Sequence, residues 1–553
     1  MTAIYIFAAA LFIIAYISTS KIRKRRERAQ VFKGNWGLPT DKDWNWSYIR
    51  LYHDLWIEST KSERIIDDDT WDDLNMNSVF TVLDRTSSIV GQQYLYEILR
   101  RPVLKIEELD RREEFTSILQ DNEKLRVDLQ LELSELNTKK IGYLPNLFLN
   151  VLPEQPRLFG FFLLPPLFTL ACIILTPFYP PALLGIVVIT FVNYIIQYTY
   201  TNKIYYFTAP LFGLGKLLKS AGKIGKRLKN EEEPFQKAGK DLLQSLASVK
   251  KLRKLISNFS SMNSGGDEIL EMIYESLNYI FLLEVNLYVW SLKTIRSNRK
   301  EIQRLFEIVG YLDSMISIAS FKESLPISCK PTFTDDEKTI SYKSIYHPFL
   351  EDPVPNDIHI KNKSILITGS NMAGKSTFLK TIGINQILSQ TFYFCCASEA
   401  TLSFSRLITS MRREDDITAG KSYYLTEVER IKELLNHAQT DVHNVFLIDE
   451  IFRGTNTVER VAASREVLMY LNNHKDIVIA STHDLELLDL LDGGFEFYHF
   501  REFVHDDSLD FDYKIREGAT STRNAIAILR LNGYPESLVK NAMDLSNELD
   551  NKN

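Results

Sequence analysis

Apolar and polar positions give the chain three textures. The first is uninterrupted apolar sequence. Thr2 to Ser18 is nearly all apolar, and from Arg157 to Lys203 no charged residue and no histidine intervenes. Pro177, Pro180 and Pro181 divide that second block into Leu158–Thr176 and Ala182–Thr199. The second texture is helical. From Trp71 to Leu136 apolar residues recur at steps of three and four, as in Val79, Val82, Leu83 and Leu95, Ile98, Leu99, with Pro102 ending one helix. Lys203 to Lys254 continues as basic amphipathic helix. Ser264-Gly265-Gly266-Asp267 is a break, and Glu268 to Ser320 reads as two long helices joined near Arg296–Lys300. The third texture starts at about Pro331. Short apolar runs alternate with helical stretches, which predicts an α/β domain on a largely parallel sheet.

Charge turns the first texture into an expectation about membranes. Lys21, Arg23, Lys24, Arg25, Arg26 and Arg28 follow the first apolar run. A secretory signal carries its positive charge before the apolar core, so this order predicts a spanning anchor with the N-terminus outside. The block at 157–200 predicts a transmembrane hairpin, with Pro165-Pro166 kinking its first arm. The basic flank after it returns the chain to the same side. Three membrane spans follow, with an inner-membrane location and the rest of the chain in the cytoplasm. No ionisable residue lies inside the spans, so they read as anchors and not as a substrate path. The lysines of 203–254 face anionic lipid or form a solvated helix face. Trp36, Trp44, Trp46 and Trp56 are interfacial anchors or part of a small helical core.

Composition adds limits. A chain of 553 residues holds several domains, and a net charge of −6 excludes a protein that coats nucleic acid through overall basicity. Cys172, Cys329, Cys395 and Cys396 have neither zinc spacing nor the pattern of a disulfide framework. They read as reduced thiols in a reducing compartment.

The α/β part carries the chemistry. Ser364 to Gln390 runs from an apolar strand through a glycine-rich loop into a helix. The loop is G-x-x-x-x-G-K-S: Gly369, Ser370, Asn371, Met372, Ala373, Gly374, Lys375, Ser376, followed by Thr377. Glycines there let backbone N–H groups turn toward phosphates, and the helix N-terminus adds its positive dipole end. Lys375 is expected to reach the β- and γ-phosphates, and Ser376 to ligate Mg²⁺. A second apolar strand ends in Asp449-Glu450. Asp449 is expected at the metal and Glu450 as general base toward water. A third strand delivers His483 to the same edge, to sense the γ-phosphate or orient the water. Arg453-Gly454-Thr455-Asn456-Thr457 is either a loop at a subunit boundary or a helix-capping turn. No LSGGQ-type signature precedes Asp449, which speaks against a transporter motor.

These motifs together resemble the MutS family of DNA mismatch-repair ATPases. ITGSNMAGKST is similar to the family's ITGPNMGGKST, DEIFRGTNT to DEIGRGTST, and STHD to ATHY. Ser405–Thr409, Ala419–Glu427, Tyr513–Gly518 and Asn532–Pro535 resemble further family segments, so the likeness covers about Phe333 to Ala542. It extends weakly to Asn77–Pro102 and Phe306–Ser320. It implies ATP and Mg²⁺ as cofactors, an ABC-like fold, a homodimer through the ATPase faces with Ser422 reaching the partner's nucleotide, and DNA, mismatched or branched, between long helical levers. Nothing before Trp71 resembles the family's mismatch-reading domain, and no Phe-x-Glu wedge occurs there.

The expected organisation is an anchor at 1–20, a helical region at 21–156, a hairpin at 157–200, helical levers at 201–330 and a P-loop ATPase domain at 331–553. The expected function is a membrane-anchored, DNA-binding switch ATPase. The alternative is a tethered structural or signalling ATPase that acts on a protein partner.

Overall fold

The computed structural model describes residues 19–550 except 21, 61–65, 153–163, 261–267, 337, 371, 412–422, 440–441, 454, 473–474, 492, 505–508, 520–524 and 532. The chain divides into two compact units. One takes residues 1–63, 82–98 and 114–324; the other takes 64–81, 99–113 and 325–553.

The first unit is helical. Its central element is the 25-residue helix Arg299–Glu323, which buries Ile302, Leu305, Phe306, Val309, Leu312, Met315 and Ile316 at helical spacing. Asp313 on this helix is fully buried. It accepts hydrogen bonds from Ser87 N at 2.9 Å and Ser88 N at 2.8 Å, donors that open the helix Ile89–Arg100. A carboxylate at a helix N-terminus meets orphan N–H groups and the positive dipole end. Gly91 permits the approach, since a Cβ there would stand 2.2 Å from Asp313 Oδ2.

The same unit corrects the membrane expectation. Among the described residues no helix is long and apolar enough to cross a membrane. The proposed anchor at 1–20 lies almost wholly outside the described residues. In the hairpin, the described first arm is the 12-residue helix Leu164–Leu175. The second arm opens the 47-residue helix Ala182–Leu228, which continues well beyond the apolar block into its lysine-bearing end. Polar groups of both arms are used inside the unit: Asn193 Nδ2 and Thr169 Oγ1 donate to the carbonyl of Ile280 at 2.8 and 3.4 Å. Leu167, Phe168, Leu184, Val187 and Phe191 form an exposed apolar face. Among the described residues this finding overturns the hairpin spans, and with them the three-span topology and the inner-membrane location. The uncharged block is long in residues, but prolines divide it.

Among the described residues the second unit has ten strands: β1 (Thr332–Thr334), β2 (Thr339–Ile345), β3 (Asn356–Lys361), β4 (Ser364–Thr368), β5 (Glu399–Ser403), β6 (Arg406–Ser410), β7 (Asn444–Asp449), β8 (Ile477–Ser481), β9 (Phe495–Val504) and β10 (Leu509–Glu517). They form two sheets, in the orders β1-β5-β2-β3 and β10-β9-β4-β8-β7-β6. In the larger sheet β6, β7, β8, β4 and β9 run parallel, and β10 returns antiparallel to β9. Every residue of β4, β7 and β8 is buried. Strands covered on both faces read as continuous apolar runs, which is why the sequence reveals these three.

The expected largely parallel, ABC-like sheet is therefore corrected to a mixed arrangement. The smaller sheet is antiparallel at β2–β3 and β2–β5 and parallel only at β1–β5. Short connections explain the difference. β2–β3 and β9–β10 join without a crossover helix, which only antiparallel neighbours allow. In β3 burial alternates residue by residue, a signal far weaker than an apolar run.

Candidate nucleotide site

β4 carries the chain to the carboxyl edge of the larger sheet, where ligands of open α/β sheets bind. There Gly369 has φ +135° and Gly374 φ +105°. A Cβ on Gly369 would stand 2.8 Å from the carbonyl oxygen of Phe500, so β9 passes too close for any other residue. Gly374 precedes the 18-residue helix Lys375–Phe392, which is buried almost throughout and holds the loop against the sheet.

Lys375 is 2% exposed. Its ammonium donates to Gly369 O at 2.7 Å and Ser370 O at 2.9 Å. Burial lowers its pKa to about 8, against the opposing pull of the Glu450 and Asp449 carboxylates. Ser376 Oγ donates to Asp449 Oδ2 at 2.6 Å, and Ser481 Oγ donates to Asp449 Oδ1. The P-loop hydroxyl and the strand-end carboxylate thus meet directly. Ser370 Oγ is buried and has no hydrogen-bond partner among the described residues.

Glu450 takes φ +59°, a left-handed conformation that costs a non-glycine residue energy and is stored at functional sites. Its N–H donates to Ser481 O at 3.1 Å. One carboxylate oxygen lies 2.6 Å from His483 Nε2, and the other pairs with Arg453. Burial alone would raise the Glu450 pKa. The His483 hydrogen bond and the charges of His483, Arg453 and Lys375 outweigh it and hold the carboxyl below its ordinary value. His483 Nε2 is also 3.4 Å from Lys375 Nζ. Behind this cluster Glu427 accepts from the N–H of Phe452 at 2.5 Å, and burial raises its pKa.

Lys375, Ser376, Asp449, Glu450 and His483 are therefore brought together. Thr377 lines the adjoining cavity, Ala373 is buried in the loop and Met372 is exposed. Asn371, Ser422 and Gly454 lie outside the described residues. The donor set suits a nucleoside triphosphate with a divalent cation: two glycines that leave the backbone open, a buried ammonium held by the Gly369 and Ser370 carbonyls, a buried hydroxyl without a partner among the described residues, and a hydroxyl–carboxylate pair.

Sequence reasoning missed a cavity of about 430 Å³ beside the loop, lined by Tyr346, His347, Leu350, Asn356, Phe500 and Tyr513 together with Gly374 and Lys375. Tyr513 has φ +52° at an irregularity of β10. Asn356 fixes that point, donating to Tyr513 O at 3.0 Å and accepting from Ile515 N at 2.8 Å. His347 sits in the same wall; burial first, then Lys380, lowers its pKa to about 4, so the ring is neutral near pH 7. An aromatic and imidazole wall of this size suits a flat heterocycle. The alternation Phe511, Tyr513, Ile515 was the available signal, but nothing in the sequence places it over the loop.

Comparison with known proteins follows the same line. The family described as MutS domain V matches residues 365–550. The DNA mismatch repair protein MutS of Methanosarcina barkeri is 30% identical over 285 residues, covering 49% of this chain and 31% of its own length. That of Bacillus pumilus is 28% identical over 291 residues, covering 50% and 33%. The MutS protein homolog 4 of Mus musculus is 30% identical over 317 residues, covering 54% and 32%. The chain thus spans about a third of the length of these curated relatives.

Proposed function

We propose that this chain, whose residues 365–550 match MutS domain V, is an ATPase of the MutS family that works as a dimeric conformational switch. The observation that carries the proposal is the meeting of Lys375, the Ser376–Asp449 pair and the Glu450–His483 pair at one loop. Gly369 to Thr377 hold the triphosphate. Lys375 exchanges the Gly369 and Ser370 carbonyls for β- and γ-phosphate oxygens, and its charge is worth more in this buried site than in water. Ser376 and Asp449 hold Mg²⁺, which when bound neutralises charge developing on the phosphate oxygens. Two protein ligands are few for such an ion, in keeping with a cation that binds together with phosphate. Glu450 accepts the proton of the attacking water, and His483 fixes its carboxylate. Because Arg453 occupies the second carboxylate oxygen, turnover requires that this pair loosen. Tyr513 and His347 enclose the base.

Ser422 is proposed to reach the nucleotide of a second copy, so that ATP closes the dimer. DNA, mismatched or branched, is proposed as the ligand of the helical region. The support is that the relatives are named as mismatch-repair proteins.

Glu450→Gln keeps the shape of the side chain and removes the base. It should retain ATP binding while hydrolysis falls about 10²–10⁴-fold. Native-rate hydrolysis by this variant in a steady-state phosphate-release assay would refute the assignment of the base.

A further inference from the structure

Three of the four cysteines gather in the second unit, away from the phosphate loop. Cys329 and Cys395 form an isolated antiparallel bridge and exchange both backbone hydrogen bonds, at 3.0 and 2.9 Å. A directly opposed pair of this kind has Cα atoms about 5.5 Å apart, inside the range a disulfide spans. Both cysteines are free, Cys395 fully buried and Cys329 partly exposed. Cys329 is therefore the partly exposed member of the pair, with Cys395 opposite it as the resolving partner.

We propose that Cys329 and Cys395 are a modification site that forms a reversible cross-strand disulfide with low-molecular-weight disulfides. The Cys329 thiolate attacks one sulfur of the small disulfide, forms a mixed disulfide and releases one small thiolate. Cys395 then gives up its proton, and its sulfur attacks the Cys329 sulfur and expels the second small thiolate. Two protein thiols are oxidised, one small disulfide is reduced to two thiols, and the two protons are taken up by the released thiolates. Cys329 suits the first step because the neighbouring Cys395 lowers its pKa. Burial raises that of Cys395 well above the ordinary value, so it reacts only with the sulfur beside it.

The bridge is tied to the nucleotide cavity. Tyr346, in the cavity wall, donates from its N–H to Cys396 O at 3.0 Å and from its hydroxyl to Ile327 O at 2.6 Å. Asn385 accepts from Cys396 N at 2.6 Å and donates to Tyr346 O at 3.3 Å. The wall therefore hangs on both segments that the disulfide would join. A consequence, which rests on the nucleotide reading above, is that oxidation shifts ATP affinity.

The test uses the full chain treated with glutathione disulfide, then alkylated, digested and mapped by mass. The expected result is a linked Cys329–Cys395 peptide, reversed by dithiothreitol and absent in Cys329→Ser. A Cys329–glutathione adduct alone, a Cys395–Cys396 link, or four thiols still free would overturn the site. ATP affinity measured on the same samples should differ about 3-fold or more between oxidised and reduced protein and stay constant in Cys329→Ser. A linked peptide with unchanged affinity overturns the coupling to the wall and leaves the site. Absence of ATP binding in both forms counts against the nucleotide reading alone.

Discussion

At the scale of single residues, the site depends on where charge is held out of water. Lys375 is buried among carbonyls with its pKa lowered to about 8, so in the nucleotide-free protein it begins to lose its proton just above neutrality. A bound triphosphate favours the charged ammonium and raises that pKa. Protons are then taken up on binding, and affinity falls as pH rises. ATP affinity should be flat below about pH 7.5 and fall toward 10-fold per pH unit above about 8. Titration calorimetry at several pH values checks this; an affinity that rises from pH 8 to 9 would show that Lys375 does not hold the phosphates. The sequence made Lys375, Ser376, Asp449 and Glu450 legible because each sits at a fixed offset from a glycine or a strand end. It did not make Tyr513 or His347 legible, because their positions depend on an irregular strand and on Asn356, neither of which leaves a periodic signature.

At the scale of elements, close approach decides where glycine is required. The helix Ile89–Arg100 starts on the Asp313 carboxylate only because Gly91 has no side chain. Gly91→Ala must displace that carboxylate from the N–H groups it satisfies. A loss of about 1–3 kcal/mol is expected, as for overpacking a filled interior. Gly34→Ala, with nothing within 4 Å of the added methyl, should be close to neutral. Urea denaturation followed by tryptophan fluorescence compares the two variants; equal midpoints would contradict the packing argument. The parallel strands were legible from their apolar runs, whereas β3 and the β9–β10 pair were not, since half-buried antiparallel strands carry only alternation. The apolar hairpin misled for the opposite reason. Its lack of charge suggested spans, while among the described residues no helix is long and apolar enough to cross a membrane.

At the scale of the whole molecule, the proposal is of an ATP-driven change in assembly. The full-length Glu450→Gln chain should sediment as a larger species with ATP and Mg²⁺ than without nucleotide, and Ser422→Ala should weaken that shift. A sedimentation coefficient that ATP leaves unchanged at high protein concentration would contradict the dimeric switch. All of this stands on the site that binds the triphosphate. The most direct measurement is equilibrium binding of a non-hydrolysable ATP analogue, with Mg²⁺, to the full chain and to its Lys375→Ala variant. Saturable binding by the native chain that weakens about 100-fold in the variant is expected, since two charge-assisted contacts of about 1.5 kcal/mol or more each are lost. Equal affinity in both, or no saturable binding by the native chain, would contradict it.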